Sequence, residues 1–330
     1  MTKIVKPSDL DGAAKALKSG GLVVFPTETV YGLGADSSNA AAIEKIYKAK
    51  GRPSDNPLIV HIAHKQDVYK LAREVSECAK KFIDVFWPGP LTLIFKKQPN
   101  VIDKVTAGLD TVAVRMPSNK TANRFIDLSG VFIAAPSANL SGSPSPTVCR
   151  HVVDDMYGRV DYIIDGDGSE IGLESTIVDV SGDIPAVLRP GAVTIEMLKE
   201  IEPKTIVASV VLKDNEKPKC PGMKYTHYSP KADVIVVEGE KDKVRAYINA
   251  HTDKTVGVLT YGEYKYNNAG FVINAGCDMK QYAKNLFTNL RVFDEHSIKT
   301  IYAEFSTEGG IGAAVKNRLY KSAGFNIITL

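Results

Sequence analysis

Between about Glu202 and Lys231 the character of the chain changes, and no other feature constrains its fold as much. Pro218, Pro221 and Pro230 interrupt regular structure there, and Lys213–Lys219 (KDNEKPK) is polar throughout. A chain of 330 residues exceeds one average domain. The break therefore reads as a linker over 202–232, between a domain at 1–201 and a smaller one at 233–330. A plain spacer would be rich in Gly and Ser or in charge. Pro221–Ser229 (PGMKYTHYS) is aromatic instead, which predicts that it docks onto another surface.

Before the break, short apolar runs bounded by Gly and Pro predict strands at Gly21–Phe25, Leu58–Ile62, Leu91–Lys96, Thr111–Met116 and Val131–Ala135. Further strands are expected at Tyr162–Ile164, Thr176–Val180 and Ala186–Leu188. Helices are expected at Ser8–Lys18, with Ser8 as cap, and from Asn39 to Lys50, with Gly51 as its stop. Val75–Phe86 and Thr194–Glu200 complete the set. Strands and helices mix irregularly, so a large mixed twisted sheet is expected in an α/β fold. After the break they alternate: strands at Val234–Val237, Thr255–Leu259, Phe271–Asn274 and Thr300–Phe305, with helices at Lys241–Ala250, Met279–Phe293 and Ala313–Ser322 and a final strand after the last helix. That rhythm predicts a small Rossmann-like α/β domain.

Apolar residues make up 44% of the chain and charged residues 24%, as in an ordinary soluble protein. Met1–Gly20 lacks the apolar stretch of a signal peptide. No run approaches the roughly 18 apolar residues that span a bilayer. Cys78, Cys149, Cys220 and Cys277 are spaced 71, 71 and 57 residues apart, with no pair at metal or redox spacing. They are expected to be reduced thiols, and the chain cytoplasmic. A net charge of +3 is too small to argue for nucleic-acid binding by itself.

The densest cluster of chemistry-bearing residues is Lys50–Pro57 (KGRPSDNP), between a helix end and a buried strand. Arg52 offers a planar fork for phosphate or carboxylate and Lys50 a point charge. Both cations would equally complement the negative end of the helix. Ala134–Asn139 (AAPSAN) ends a strand in Ser137 and Asn139, at the kind of strand tip where α/β sheets take ligands, or as a simple turn. Pro26–Gly34 (PTETVYGLG) packs hydroxyls, a carboxylate and a phenol beside glycines, a set suited to a small polar molecule. Arg115, Arg189, Ser175 and Thr176 add cations and hydroxyls at strand ends, which suits an anionic ligand such as a triphosphate. His61 and His64 would not share a strand face, and no carboxylate cluster completes a metal site. There is no Walker A loop and no Gly-x-Ser-x-Gly elbow, so neither a P-loop nor covalent catalysis is expected. Gly310-Ile-Gly312 lacks the third glycine of a dinucleotide fingerprint and reads as a tight turn.

Taken together, Pro26–Leu33, Lys50–Pro53, Asn56–Leu58, Trp87–Pro90, Val112–Pro117, Pro136–Asn139, Glu174–Thr176 and Leu188–Gly191 resemble the long form of the YrdC-like threonylcarbamoyl-adenylate synthase family. Pro221–Pro230 resembles its linker and the end of the chain its small C-terminal domain. The resemblance implies a nucleotidyltransferase that condenses L-threonine, bicarbonate (or carbon dioxide) and ATP into threonylcarbamoyl-AMP and pyrophosphate. Downstream tRNA threonylcarbamoyl transferase machinery would consume the product, with tRNA a possible direct contact. Lys50, Arg52, Ser137 and Asn139 would then be catalytic, joined at ATP by Ser54, Thr111, Thr147, Arg189 and the linker's Tyr228. Thr27, His61, Arg115 and Ser175 would hold threonine. Tyr31 and Thr147 carry structural readings as well, Thr147 as a helix cap. Magnesium would come with ATP, ligated by phosphate and water, and no protein-built metal site is expected. Two other readings compete. One is an RNA-binding, translation-related module without catalysis. The other is a carbamoyl-transfer maturation factor, whose extra domains and zinc-type cysteines have no counterpart here.

Overall fold

The structure, a computed structural model, describes residues 1–54, 56–208, 218, 228–306 and 309–330. Asp55, Cys220 and most of the predicted linker lie outside the described residues. The chain divides into two compact units. One comprises Met1–Ser141, Pro146–Glu170 and Glu174–Lys224, the other Gly142–Ser145, Ile171–Leu173 and Tyr225–Leu330.

The first unit carries β1 (Lys3–Val5), β2 (Val23–Phe25), β3 (Gly32–Asp36), β4 (Ile59–His61), β5 (Leu91–Lys96), β6 (Thr111–Arg115), β7 (Ile133–Ala135), β8 (Tyr162–Ile164), β9 (Thr176–Asp179), β10 (Ala186–Arg189) and β11 (Ile206–Val207). They form one sheet in the order β1-β8-β2-β3-β7-β4-β6-β5-β9-β10-β11. Parallel and antiparallel pairs mix: β4 runs parallel to β6 and antiparallel to β7, and β5 antiparallel to β6 and parallel to β9. This is the mixed sheet that the irregular element order predicts.

Local chemistry sets most boundaries. Helix Ala40–Lys50 starts where the Asn39 side chain accepts from the Ala42 amide. It stops at Gly51, whose φ of 62° favours a residue without a side chain. Its buried positions include Ala42, Ile43, Ile46 and Tyr47, one stripe at helical spacing. Ser76 and Thr194 likewise cap helices Glu77–Phe86 and Ile195–Ile201.

Ser8 does not cap the first helix, which spans Asp11–Lys18 with Leu10 at the N-cap and no side-chain cap. A turn closed by the Asp9 amide on the Lys6 carbonyl precedes it, and Leu10 is buried, so packing sets the entry. Thr147 does not cap helix Cys149–Met156 either, because Val148 holds that position. Several elements are additional to the sequence reading: β1, β11, β3 (hidden in a Gly-Leu-Gly run), and helices Val68–Leu71, Asp103–Thr106, Lys120–Ser129 and Cys149–Met156.

The two sheet faces differ. One face carries Val60, Leu93, Val112, Val114, Ala134 and Val178 into the main core. On the other, helices Asp11–Lys18 and Lys120–Ser129 cover Val23, Phe25, Ile133 and Ala135 through Leu10, Leu17, Phe125 and Ile126. Beside that covered patch lies a separate small cluster of Ile59, Ile94, Ala113 and Ile177.

The second unit holds β12 (Asp233–Glu238), β13 (Val256–Thr260), β14 (Phe271–Asn274), β15 (Thr300–Phe305) and β16 (Ile327–Thr329). All pairs are parallel, in the order β14-β13-β15-β12-β16. Helices Lys241–Ala250, Met279–Phe293 and Gly312–Ser322 supply the crossovers that parallel strands require. Its buried Glu304 carboxylate is fully engaged by Arg245, Thr260 and Tyr266.

Candidate active site

Side chains alternate across a strand, and partners in register share a face. Ile133, His61, Arg115 and Thr92 therefore stand in one row on the face of the small apolar cluster, continued by Ile177. The next row is Ala135, Ile59, Ala113 and Ile94. One step further come Thr111, paired with Lys96, and Ser137, just past the end of β7. Thr111 and Arg115 are four residues apart on β6, about 13 Å by strand rise. The strip thus has two polar ends with an apolar floor between them.

At the first end Arg115 is 4% exposed and deeply engaged. Its Nε donates to the Gly89 carbonyl (3.3 Å) and its Nη1 to Thr29 Oγ1 (2.8 Å). Its Nη2 lies 2.7 Å from Glu28 Oε1. Burial alone would raise the Glu28 pKa, but the adjacent charge of Arg115, helped by the Ser118 amide, more than offsets it and holds the carboxyl below its ordinary value. Thr27 Oγ1 donates to the Val30 carbonyl (2.6 Å) and receives the Thr29 and Val30 amides. Thr27 thereby shapes the loop, while Thr29 and Glu28 meet the arginine.

His61 is buried, its Nδ1 3.1 Å from the Ile59 carbonyl and its ring edge-on to Phe25. Burial, then the charge of Arg115, push its pKa down to about 3. The imidazole is accordingly neutral at physiological pH. His64 is exposed and pairs with Asp127, so the two histidines part company as expected. Ser175 Oγ sits 2.7 Å from Thr92 Oγ1 and accepts from Arg189 Nη2 (3.2 Å), while Arg189 Nε donates to the Ser175 carbonyl (3.1 Å). Gly191 lets this turn close, because a Cβ there would stand 2.5 Å from the Thr176 amide nitrogen.

At the other end the ammonium of Lys50, buried at the foot of its helix, directs its donors at Ser137 O (2.5 Å), Asn139 O (2.7 Å) and Asn139 Oδ1 (3.4 Å). Ser137 Oγ donates to Asn139 Oδ1 (2.5 Å). Lys50 is therefore a brace across 87 residues of sequence as well as a charge. Burial, then the neighbouring Arg52, lower its pKa well below the ordinary lysine value. Arg52 is partly buried beside it and Ser54 is exposed in the same loop.

The remaining predicted residues are placed as follows. Thr147 is buried. Tyr31 donates to the Gly166 carbonyl (2.9 Å), a structural contact that pins the neighbouring loop. Tyr228 belongs to the second unit, where its ring stacks on Phe287 at 4.9 Å. Sequence reasoning missed Thr92 as a partner of Ser175 and did not single out Glu28 or Thr29. The carboxylate in PTETVYG was the available signal. Among the described residues no group of three or more His, Cys, Asp or Glu side chains gathers to hold a metal ion. Among them Cys78, Cys149 and Cys277 are free. No helix among the described residues is long and apolar enough to cross a membrane.

Fold and site together define a two-unit α/β protein with a buried polar strip suited to small charged ligands. Two family models match: Sua5_yciO_yrdC, described as telomere recombination, over residues 15–191, and Sua5_C, described as the threonylcarbamoyl-AMP synthase C-terminal domain, over 193–324. The threonylcarbamoyl-AMP synthase of Pyrococcus abyssi is 46% identical over 96% of this chain and 94% of its own length. That of Bacillus subtilis is 45% identical over 96% and 93%. A crystal structure of P. abyssi Sua5 complexed with L-threonine superimposes with a TM-score of 0.94 at 44% identity, covering 100% of this chain and 99% of that one. The chain belongs to the threonylcarbamoyl-AMP synthase family, in its two-domain form.

Proposed function

We propose that the chain condenses L-threonine, bicarbonate (or carbon dioxide) and ATP into threonylcarbamoyl-AMP and pyrophosphate, for the threonylcarbamoyladenosine modification of tRNA. The observation that carries this reading is the strip with a polar end at each side of an apolar floor. Its span of about 13 Å accommodates an amino acid at the Arg115 end and a nucleotide at the Ser137 end.

The chemistry needs positioning more than a nucleophilic side chain. The amine of threonine, freed of its extra proton, takes up bicarbonate with loss of water to give a carbamate. A carbamate oxygen then attacks the α-phosphorus as the bond to pyrophosphate breaks. Arg115, His61, Ser175 and Thr27 hold threonine in this reading, with Arg189 bracing Ser175. Ser137, Asn139, Arg52, Ser54, Thr111 and Thr147 serve the nucleotide, with Lys50 fixing the loop that presents Ser137 and Asn139. Neutral His61 offers hydrogen bonding without adding charge. Magnesium enters with the triphosphate as part of the substrate, ligated by phosphate oxygens and water.

Pyrophosphate release from ATP tests the reading. Release is expected to require both L-threonine and bicarbonate and to collapse in Ser137→Ala. Release that ignores threonine, or its absence alongside tight, salt-sensitive RNA binding, would turn the assignment over to the RNA-binding module.

A further inference from the structure

Glu28 is the least explained side chain at the amino-acid end of the strip. It is 3% exposed; the Arg115 guanidinium and the Ser118 amide lie close enough to favour its charged form, but neither carboxylate oxygen makes an aligned hydrogen bond. Oε1 lies at ion-pair distance from Arg115 Nη2 but off hydrogen-bond alignment. A carboxylate offers about four lone-pair sites, so this one retains capacity for a ligand's N–H groups. Arg115 does not need a charged partner for orientation, because the Gly89 carbonyl and Thr29 hydroxyl already hold its Nε and Nη1.

A site built to take a carboxylate alone gains from an uncompensated guanidinium, and a buried counter-ion weakens it. A buried pair of opposite charges is matched instead by a ligand that carries both. Within the row His61 is neutral and Thr92 is a hydroxyl, and the cation beyond it, Arg189, is spent on the Ser175 carbonyl and hydroxyl. Glu28 itself stays ionised at neutral pH. We propose that Glu28 and Arg115 form a dipolar clamp for a zwitterionic α-amino acid, with Glu28 receiving the ammonium group and Arg115 the carboxylate. This rests on the proposed use of threonine and deepens it by naming the group that selects for the amine. The ammonium is held before it gives up its proton, so Glu28 sets affinity and selection and is not the base.

Calorimetric binding to the full chain tests the clamp, with L-threonine and its 2-hydroxy analogue, 2,3-dihydroxybutanoate, as probes. Wild type is expected to prefer threonine. Glu28→Gln is expected to lose threonine affinity by roughly 10- to 100-fold while binding the analogue as well as before or better. Glu28→Asp keeps the charge at shorter reach and should lose threonine affinity by more than it loses the analogue; it carries the test if the Gln variant does not fold. Equal losses of both ligands would make Glu28 a mere support for Arg115 and overturn the clamp, as would an unchanged preference. A wild type that binds no threonine would refute the synthase reading itself, a different result from failure of the clamp.

Discussion

Arg115 and Lys50 are both buried cations on the same strip, and the fold accommodates them in opposite ways. Arg115 faces a carboxylate, so its charge is cancelled by contact and its geometry is locked by three partners. Lys50 faces carbonyl oxygens, which satisfy its donors but carry no full charge. Asp155 and Glu174 act on it only through space, against burial and Arg52. The difference separates two tasks. An ion pair suits the recognition of a ligand with both signs, and a carbonyl-held ammonium suits bracing a loop while leaving positive potential near it. It also predicts that loss of Arg115 costs the fold more than loss of Lys50 does.

Arg115→Met should have the larger effect on stability, because it leaves Glu28 buried without its partner, at about 3–5 kcal/mol. Chemical denaturation would measure this, and adding Glu28→Gln should restore most of the loss. A double variant no more stable than the single would break the comparison. The same pair carries a pH signature. The folded Glu28 pKa lies below its ordinary 4.5, so its stabilisation is complete above that pH and fades as pH falls through the folded value. The double variant should lack this component of acid unfolding.

Lys50→Met should cost less stability, about 1–3 kcal/mol for the carbonyls left without donors. Its activity should nevertheless fall by about 100-fold, because the loop bearing Ser137 and Asn139 loses its brace. If denaturation ranks Lys50→Met as the more costly of the two, the distinction is reversed. The smallest effect is expected from Asn39→Ala, at the far end of the helix that delivers Lys50, with about 1 kcal/mol lost from the missing cap. Pyrophosphate release should stay within about twofold of wild type, since the carbonyl contacts and not the helix start hold the ammonium. A fall as deep as that of Lys50→Met would assign the placement to the helix.

Much of this architecture was legible before any coordinates, for reasons that stay local. Asn39 and Gly51 bracket a helix because a side-chain oxygen satisfies a free amide and a glycine accepts a left-handed turn. Asn119 and Gly130 bracket helix Lys120–Ser129 by the same logic, and that signal was overlooked. β3 was harder to see, because Gly32 and Gly34 lack strand propensity and only pairing with β2 and β7 makes the segment a strand.

By itself the sequence pointed to more than one domain, to a mixed sheet followed by an alternating α/β one and to the family motifs, and it nominated residues for the candidate site. Those readings rest on spacing, capping, residue type and the order of elements along the chain. Only the tertiary structure decided that Glu28 and Thr29 meet Arg115, that Thr92 meets Ser175, and that Lys50 turns its donors onto Ser137 and Asn139. All of these pairs are separated by 83 to 89 residues along the chain. Strand order and register bring them together, and those follow from how whole sheet faces bury their apolar side chains, which no local pattern records.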